Sequence, residues 1–385
     1  MVGTTEGRPG CSGSAQSPTS VPRVLVIGFS NARAGVESVI ANYARAVADR
    51  INFDFLVHEE LTNYSDLVEG ASANNRVFII PKKTRDPLRY ERGLRALFAD
   101  HAHEYDAIWD NVCHLANLDA LALAKKHKIP QRILHAHMDT IAGKPWHKLF
   151  SRFNRPQVHT LPTQLWACSA QSGNGFFNGL DTTVLNNAIA YRDYAYDEEA
   201  RLAQRAAWGI EEDEILLGAV GRLDVQKNHQ WLLETFTELA AADERYRLVI
   251  VGAGELHDHL QRMITRLGCQ DSALLVGRST DMPACYSAFD LFVMPSLFEG
   301  LPVSIIEAQS AGLRCLLSSR ISTDSDISGN CEFFDLEDRG AWLDAITHAQ
   351  THDRRHPHLS KDYDLDVQAQ RFIDLIAARS QGVTP

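Results

Sequence analysis

The sequence predicts an α/β protein made of two parallel-sheet domains, each sheet covered by helices on both faces. Three observations predict it. The chain has 385 residues, more than one hydrophobic core normally serves, so two domains of about 150 to 190 residues follow. Strand-like and helix-like stretches alternate almost throughout. The strand-like runs are apolar along their whole length rather than on every second residue, the mark of strands buried on both faces.

In order, the strand-like runs of the first half are VLVIGF (24–29), FDFLVH (53–58), RVFII (76–80), AIWDN (107–111) and RILHA (132–136). The second half adds ILLGAVG (215–221), YRLVIVG (246–252), ALLVG (273–277), LFVMP (291–295) and RCLLSS (314–319). Between them lie amphipathic helix patterns such as VESVIANYARAVADR (36–50), with Val36, Val39, Ile40, Tyr43 and Val47 on one face. A strand-like TVLNNAI runs into a polar, aromatic connector near 185–196, which sets the break. Domain one is expected over 21–187 and domain two over 188–355. A last amphipathic helix, DVQAQRFIDLIAARS (366–380), lies in a closing segment, 356–385. Residues 1–20 lack the apolar segment of a secretory signal and are expected to be a disordered tail.

Composition narrows the function. Hydrophobic content of 45% with 23% charged residues describes a globular, water-soluble chain. No apolar run approaches the ~20 residues of a membrane span. The seven cysteines are scattered without a CxxC pair, which argues against a disulfide framework or a zinc site and fits a reducing cytoplasm. The net charge of −11 disfavours a nucleic-acid partner. It is uneven. Residues 21–190 hold 19 Lys and Arg against 16 Asp and Glu, while residues 191–385 hold 18 against 32. The halves therefore meet different partners.

Ligands of open α/β sheets bind beyond the carboxyl ends of the strands, so the chemistry is sought in the strand-to-helix turns. FEGLPVSIIEA (298–308) follows the strand LFVMP. Glu299 lies in the turn, and Glu307 about two turns into a helix opened by Leu301-Pro302. The helix N-terminus between them attracts anions, whereas the carboxylates suit hydroxyls. Together they suit a ligand with phosphate and polyol parts; a first-turn glutamate and a surface glutamate are the plainer alternative. In GRLDVQKNHQWLLETF (221–236), Arg222 and Lys227 flank a loop before a helix starting near Asn228 or His229. Such a pair could neutralise a diphosphate without a metal, or be two solvated charges.

GFSNARAGVESVI (28–40) is a small-residue loop in which Gly35 would let backbone approach a ligand. His135 and His137 end the strand RILHA. Two residues apart on an extended chain, they are expected to point to opposite sides, which would keep them from sharing a metal. IVGAGELHDHL (250–260) has His257 where a dinucleotide fingerprint wants glycine, so it is poor support for NAD. The D-x-D pairs at Asp324/Asp326 and Asp362/Asp364/Asp366 are discounted as metal ligands, the latter as helix capping.

These residues together resemble the retaining glycosyltransferases of family 4, which have the GT-B fold. FEGLPVSIIEA carries the E-x7-E spacing, GRLDVQKN resembles the G-R-x-x-x-x-K loop, and IVGAGEL and LLVGRSTDMPACYSAFDLFVMPS resemble the second domain. RILHAH, LWACSAQSGNGFF and VLNNAIAYRDY resemble the subgroup that builds capsular and exopolysaccharides. The resemblance covers nearly everything after residue 20. It implies two Rossmann-like domains facing a central cleft, with the last helix crossing back to the first.

It also implies roles. Glu307 would hold the nucleotide ribose. Glu299, with the following backbone at Gly300 and Leu301, would hold the donor sugar. Arg222 and Lys227 would bind the diphosphate and stabilise it as it leaves. Gly35 would approach the donor phosphate, and His135 would contact the donor sugar near the reacting carbon, with His137 as the alternative. The donor would be a nucleotide-sugar, most commonly UDP-linked in the family. No metal and no separate cofactor are expected, and the anomeric configuration would be retained. Where the family often has Gly-Gly, this chain has Ala34-Gly35.

The acceptor implied is a growing, lipid-linked oligosaccharide. Residues 140–180 contain no Asp or Glu, and Lys144, Lys148 and Arg152 interleave with Trp146, Phe150 and Phe153. A basic aromatic helix face can rest on an anionic membrane or simply be solvated. A second basic cluster, KKTRDPLRYERGLR, spans 82–95. The expected location is cytoplasmic, with peripheral contact at the inner face of the membrane. Competing readings are a non-catalytic nucleotide-sugar-binding subunit of an assembly complex, a sugar-nucleotide epimerase, and a dehydrogenase.

Overall fold

The computed structural model describes residues 21–32, 35–67, 74–141, 143–299, 301–349 and 354–377. Two parallel sheets follow one another along the chain. The first has the order β3-β2-β1-β4-β5-β6-β7, with β1 Arg23–Ile27, β2 Asn52–Val57, β3 Arg76–Ile79, β4 Ala107–Val112, β5 Gln131–Ala136, β6 Gln164–Ala167 and β7 Thr183–Val184. The second has the order β10-β9-β8-β11-β12-β13, with β8 Ile215–Val220, β9 Tyr246–Val251, β10 Ala273–Gly277, β11 Leu291–Met294, β12 Arg314–Ser318 and β13 Cys331–Phe334. Two strands, β6 and β13, are not foreseen by the apolar runs. Each carries a polar residue, Gln164 in QLWA and Glu332 in CEFF, so neither makes a continuous apolar run.

Helices cover both faces of each sheet. The first sheet is served by α1 Gly35–Ala46, α2 Pro87–His101, α3 Asp119–Lys126, α4 Pro145–Asn154 and α5 Ala170–Phe177. The second is served by α6 Glu198–Trp208, α7 His229–Ala242, α8 His257–Leu267, α9 Met282–Ala288, α10 Val303–Ser310 and α11 Arg339–Thr347. Side chains start several of them: Asp86, Ser169, Asp197, Asp281 and Asp338 each accept a backbone N–H of the first turn, which satisfies donors no helical carbonyl can reach.

The last helix, α12 Leu365–Ala377, belongs to the second half of the chain but packs on the first sheet beside α1. Its Phe372 has no exposed surface and lies 5.4 Å from the Tyr43 ring, 5.0 Å from Trp109 and 5.8 Å from Trp166. Truncating such an aromatic side chain costs about 3–5 kcal/mol, so α12 fastens the two halves together.

In each sheet the strand order reverses once, between β1 and β4 and between β8 and β11. Crevices beyond the carboxyl ends at such reversals are where open α/β sheets take ligands. At the first, Gly28 has φ +83°, and a Cβ there would lie 2.0 Å from the Asn111 carbonyl oxygen. Glycine is required for the β1 turn to lie against β4.

Candidate functional site

The two turns singled out in the second half border the same reversal. GRLDVQK leaves β8 and leads to α7; SLFEG leaves β11 and leads to α10. Gln226 Nε2 donates to the Phe298 carbonyl at 2.9 Å, Leu297 N donates to the Gln226 carbonyl, and Asn228 Nδ2 donates to the Pro295 carbonyl at 3.2 Å. Lys227 Nζ lies 2.7 Å from Glu299 Oε1, with 14% and 8% of the side chains exposed. Arg222 is exposed, 3.8 Å from Asp224.

The glycines of IVGAGEL brace these turns. A Cβ on Gly252 would stand 1.8 Å from the Gly221 carbonyl oxygen, and one on Gly254 would stand 2.3 Å from that of Leu223. Leu223 N donates to the Ala253 carbonyl and Leu256 N to the Leu223 carbonyl. The pattern that resembled a broken dinucleotide fingerprint therefore admits the GRLD loop against the β9 turn.

Helix α10 begins at Val303, with Pro302 as its N-cap, two residues later than Leu301-Pro302 suggests, because Pro302 keeps an extended ψ of 123°. Glu307 is thus in the second turn. Its Oε1 accepts from Tyr194 OH at 2.9 Å and its Oε2 from Tyr286 OH at 2.6 Å. Burial raises its pKa, and the two phenol hydrogen bonds oppose that. Each oxygen keeps a lone pair for a further donor.

The first half meets these turns. Asn187 Nδ2 donates to the Leu301 carbonyl at 2.8 Å, and Leu301, Val303 and Ile306 share a core cluster with Cys168, Leu185 and Ala188. Burial pushes the Cys113 thiol, just beyond β4, up to about 11; Glu37 adds to this and Arg222 opposes it. Glu37, in the first turn of α1, is buried and accepts from Ser30 Oγ at 2.6 Å. Gly35 begins α1 exposed, and a Cβ there would meet no atom within 4 Å. Gly300 and Ala34 lie outside the described residues.

The two histidines correct an expectation. They lie side by side, ring centroids 4.2 Å apart, not on opposite sides. Side chains alternate along a strand, so residues two apart share a face. His135 has 0% exposure, and its Nδ1 accepts from Trp109 Nε1 at 3.1 Å. His137 is 6% exposed, with Nε2 2.9 Å from Asn111 Oδ1. Burial, with His137 adding, drives the His135 pKa well below its ordinary value; burial pushes that of His137 down to about 3. Both are neutral at physiological pH.

Residues missed in the sequence are Glu37, Tyr194 and Tyr286, which no spacing connects to the site. The D-x-D aspartates bond locally: Asp326 Oδ1 accepts Gly329 N and Asp364 Oδ1 accepts Asp366 N.

Two parallel sheets in succession, each reversing its strand order once and with the last helix returning to the first sheet, make the GT-B fold. Residues 200–354 match the family model described as glycosyl transferases group 1, and the chain carries that domain. EpsF of Bacillus subtilis (strain 168) is 28% identical over 323 residues, 80% of this chain and 82% of that protein. The UDP-Gal:alpha-D-GlcNAc-diphosphoundecaprenol alpha-1,3-galactosyltransferase of Escherichia coli is 31% identical over 176 residues, 44% of this chain and 46% of that one. Among solved structures, Anabaena Alr3699/HepE in complex with UDP and glucose superposes with a TM-score of 0.74 at 17% identity, covering 93% of this chain and 100% of that one. No described helix is long and apolar enough to cross a membrane.

Proposed function

We propose that this glycosyltransferase moves a sugar, with retention, from a UDP-sugar to a lipid-linked oligosaccharide in capsule or exopolysaccharide synthesis. The observation that carries the reading is the Lys227–Glu299 contact joining the two turns of the β8/β11 reversal. It joins a cation and a carboxylate between the turns that lead into α7 and α10. Arg222 and Lys227 bind the diphosphate; Glu307 takes ribose hydroxyls. Glu299 and the backbone of Gly300 and Leu301 take the donor sugar. Gly35 leaves room at the N-terminus of α1 for the donor phosphate.

The leaving diphosphate gains charge as the glycosidic bond breaks. Fixed cations and helix N-termini stabilise that charge without reorganising, which is why no metal is assigned to the step. The acceptor hydroxyl attacks from the face the diphosphate leaves. The relative named for a UDP-Gal donor and a diphosphoundecaprenol acceptor supports the donor and acceptor classes. The enzyme works in the cytoplasm at the inner membrane surface, and α4 is its contact with anionic lipid.

The test is thermal stabilisation by UDP, GDP, ADP and NAD, in wild type and Glu307→Ala. A ligand at ~100 times its Kd adds about 2.7 kcal/mol. A UDP shift that weakens in the variant is expected. A shift with NAD alone would sink the reading. A UDP shift without transfer to any lipid-linked acceptor would leave a binding subunit in its place.

A further inference from the structure

The first sheet has a pocket of its own, of about 240 Å³, at the β1/β4 reversal on the face covered by α2 and α3. Its walls include Asp110, Tyr90, Asn117, His58, Glu59 and Lys82. Asp110 lies near the end of β4, opposite Ile27 of β1. It is 4% exposed, and burial alone, with no hydrogen bond, acts on its carboxyl. Its neighbours are bonded. Asn117 Nδ2 donates to Tyr90 OH at 2.7 Å, and His58 Nδ1 lies 2.9 Å from the Ile80 carbonyl oxygen. The Asp110 oxygens are not among the sealed, unpaired polar atoms of the interior; they open onto the pocket, where a ligand would meet them.

We infer that this pocket seats the terminal sugar of the acceptor and that Asp110 sets its specificity by bonding a ring hydroxyl. The inference rests on the glycosyltransferase reading and extends it to the acceptor. The volume suits one pyranose ring and is small for a nucleotide. Tyr90 lines the wall, and the polar groups include donors and acceptors, as a polyol requires. The ligand is neutral: Glu59 offsets Lys82, so the pocket has no net positive charge to hold a uronate or a phosphate. Burial pushes the Asp110 pKa up to about 7, so its carboxyl can donate to or accept from a hydroxyl near neutrality.

The test is saturation-transfer NMR on the full chain with glucose, galactose, N-acetylglucosamine and glucuronate, each with and without saturating UDP. Asp110→Leu removes the polar group at similar size, and Asp110→Asn keeps an acceptor. At least one neutral sugar should bind with or without UDP. Its affinity should fall at least tenfold in Asp110→Leu and less in Asp110→Asn, while the thermal shift with UDP stays intact in both variants. Binding by none of the neutral sugars, binding lost to UDP, binding unchanged in Asp110→Leu, or glucuronate binding as well as glucose would each overturn the inference. Absence of a UDP shift in wild type would instead sink the parent reading, and the acceptor role with it.

Discussion

Lys227 Nζ sits 2.7 Å from Glu299 Oε1, and that contact closes the β8 turn onto the β11 turn. The pair is largely withdrawn from water, so neither charge is stable alone. On the proposed reading, an incoming diphosphate would give Lys227 a second anion and release Glu299 oxygens toward sugar hydroxyls.

Removing one partner should therefore cost more than removing both. Lys227→Met leaves Glu299 buried and unpaired, and we expect a loss of about 2–4 kcal/mol. The double variant Lys227→Met/Glu299→Leu should recover at least about 1 kcal/mol of it, read by denaturant unfolding in a double-mutant cycle. Turnover should fall on the order of 10²-fold in Lys227→Met, from lost stabilisation of the leaving group. Additive stabilities would mean that the contact does not couple the turns.

The histidines separate by depth. His135 Nδ1 accepts the Trp109 indole N–H, so His135→Ala orphans a buried donor and opens a cavity among aromatic rings. The expected cost is about 2–4 kcal/mol in stability, with UDP binding unchanged. Asn111 Oδ1 accepts from His137 Nε2 because its amide nitrogen donates to the Ile27 and Trp109 carbonyls. That leaves the His137 Nδ1 lone pair unpaired, and on the proposed reading it would take a sugar hydroxyl once the cleft closes on the donor. His137→Ala should lower turnover at least about tenfold with a smaller stability change. Collapse of turnover in His135→Ala at unchanged stability would return the sugar contact to His135.

Much of this was legible in the sequence. Long apolar runs marked most strands, and E-x7-E with the Arg/Lys loop marked both turns of the β8/β11 reversal, because spacing within one strand–turn–helix unit is local. What lay beyond it was tertiary. The Lys227–Glu299 contact needs β8 beside β11, an order that no local pattern encodes. Asp110 looks like the polar end of an ordinary strand until β1 is placed next to β4 and a pocket forms above it. The tyrosines that hold Glu307 come from a connector and from α9. The histidine error was one of parity: a period of two places His135 and His137 together.

Asp110 should leave a pH signature. Its folded pKa is raised from the ordinary 3.8 to about 7 by burial. The native state thus keeps a proton the unfolded chain has lost, and the contribution of Asp110 to stability falls as pH rises from about 4 to about 7. Lys82, His58, Glu59 and Tyr90 face the same pocket, and all are retained in Asp110→Asn. The variant should match wild type near pH 4 and exceed it at pH 8, by up to roughly 4 kcal/mol. Parallel pH–stability curves for the two proteins would show a solvated carboxylate.

Helix α4 is turned inside out, and that bears on the membrane. Ser151 is its one buried residue; Ser151 Oγ accepts Leu115 N at 2.9 Å and Asn154 Nδ2 donates to the Leu115 carbonyl at 2.8 Å. Polar side chains thus fasten it, while Trp146, Leu149, Phe150 and Phe153 stand 39%, 54%, 51% and 69% exposed. Lys148 and Arg152 lie on the same helix, and Lys144 and Arg155 at its ends. An ordinary amphipathic helix would bury the aromatics and solvate the serine. We expect flotation with vesicles containing anionic lipid, reduced by salt and absent on neutral vesicles. Phe150→Ser/Phe153→Ser should abolish it, and Lys148→Ala/Arg152→Ala should weaken it by about 1 kcal/mol per charge. Because α4 touches the body through polar bonds, neither pair should lower the melting temperature. Binding that survives both pairs would move the membrane contact elsewhere, with the basic stretch 82–95 the next surface to test.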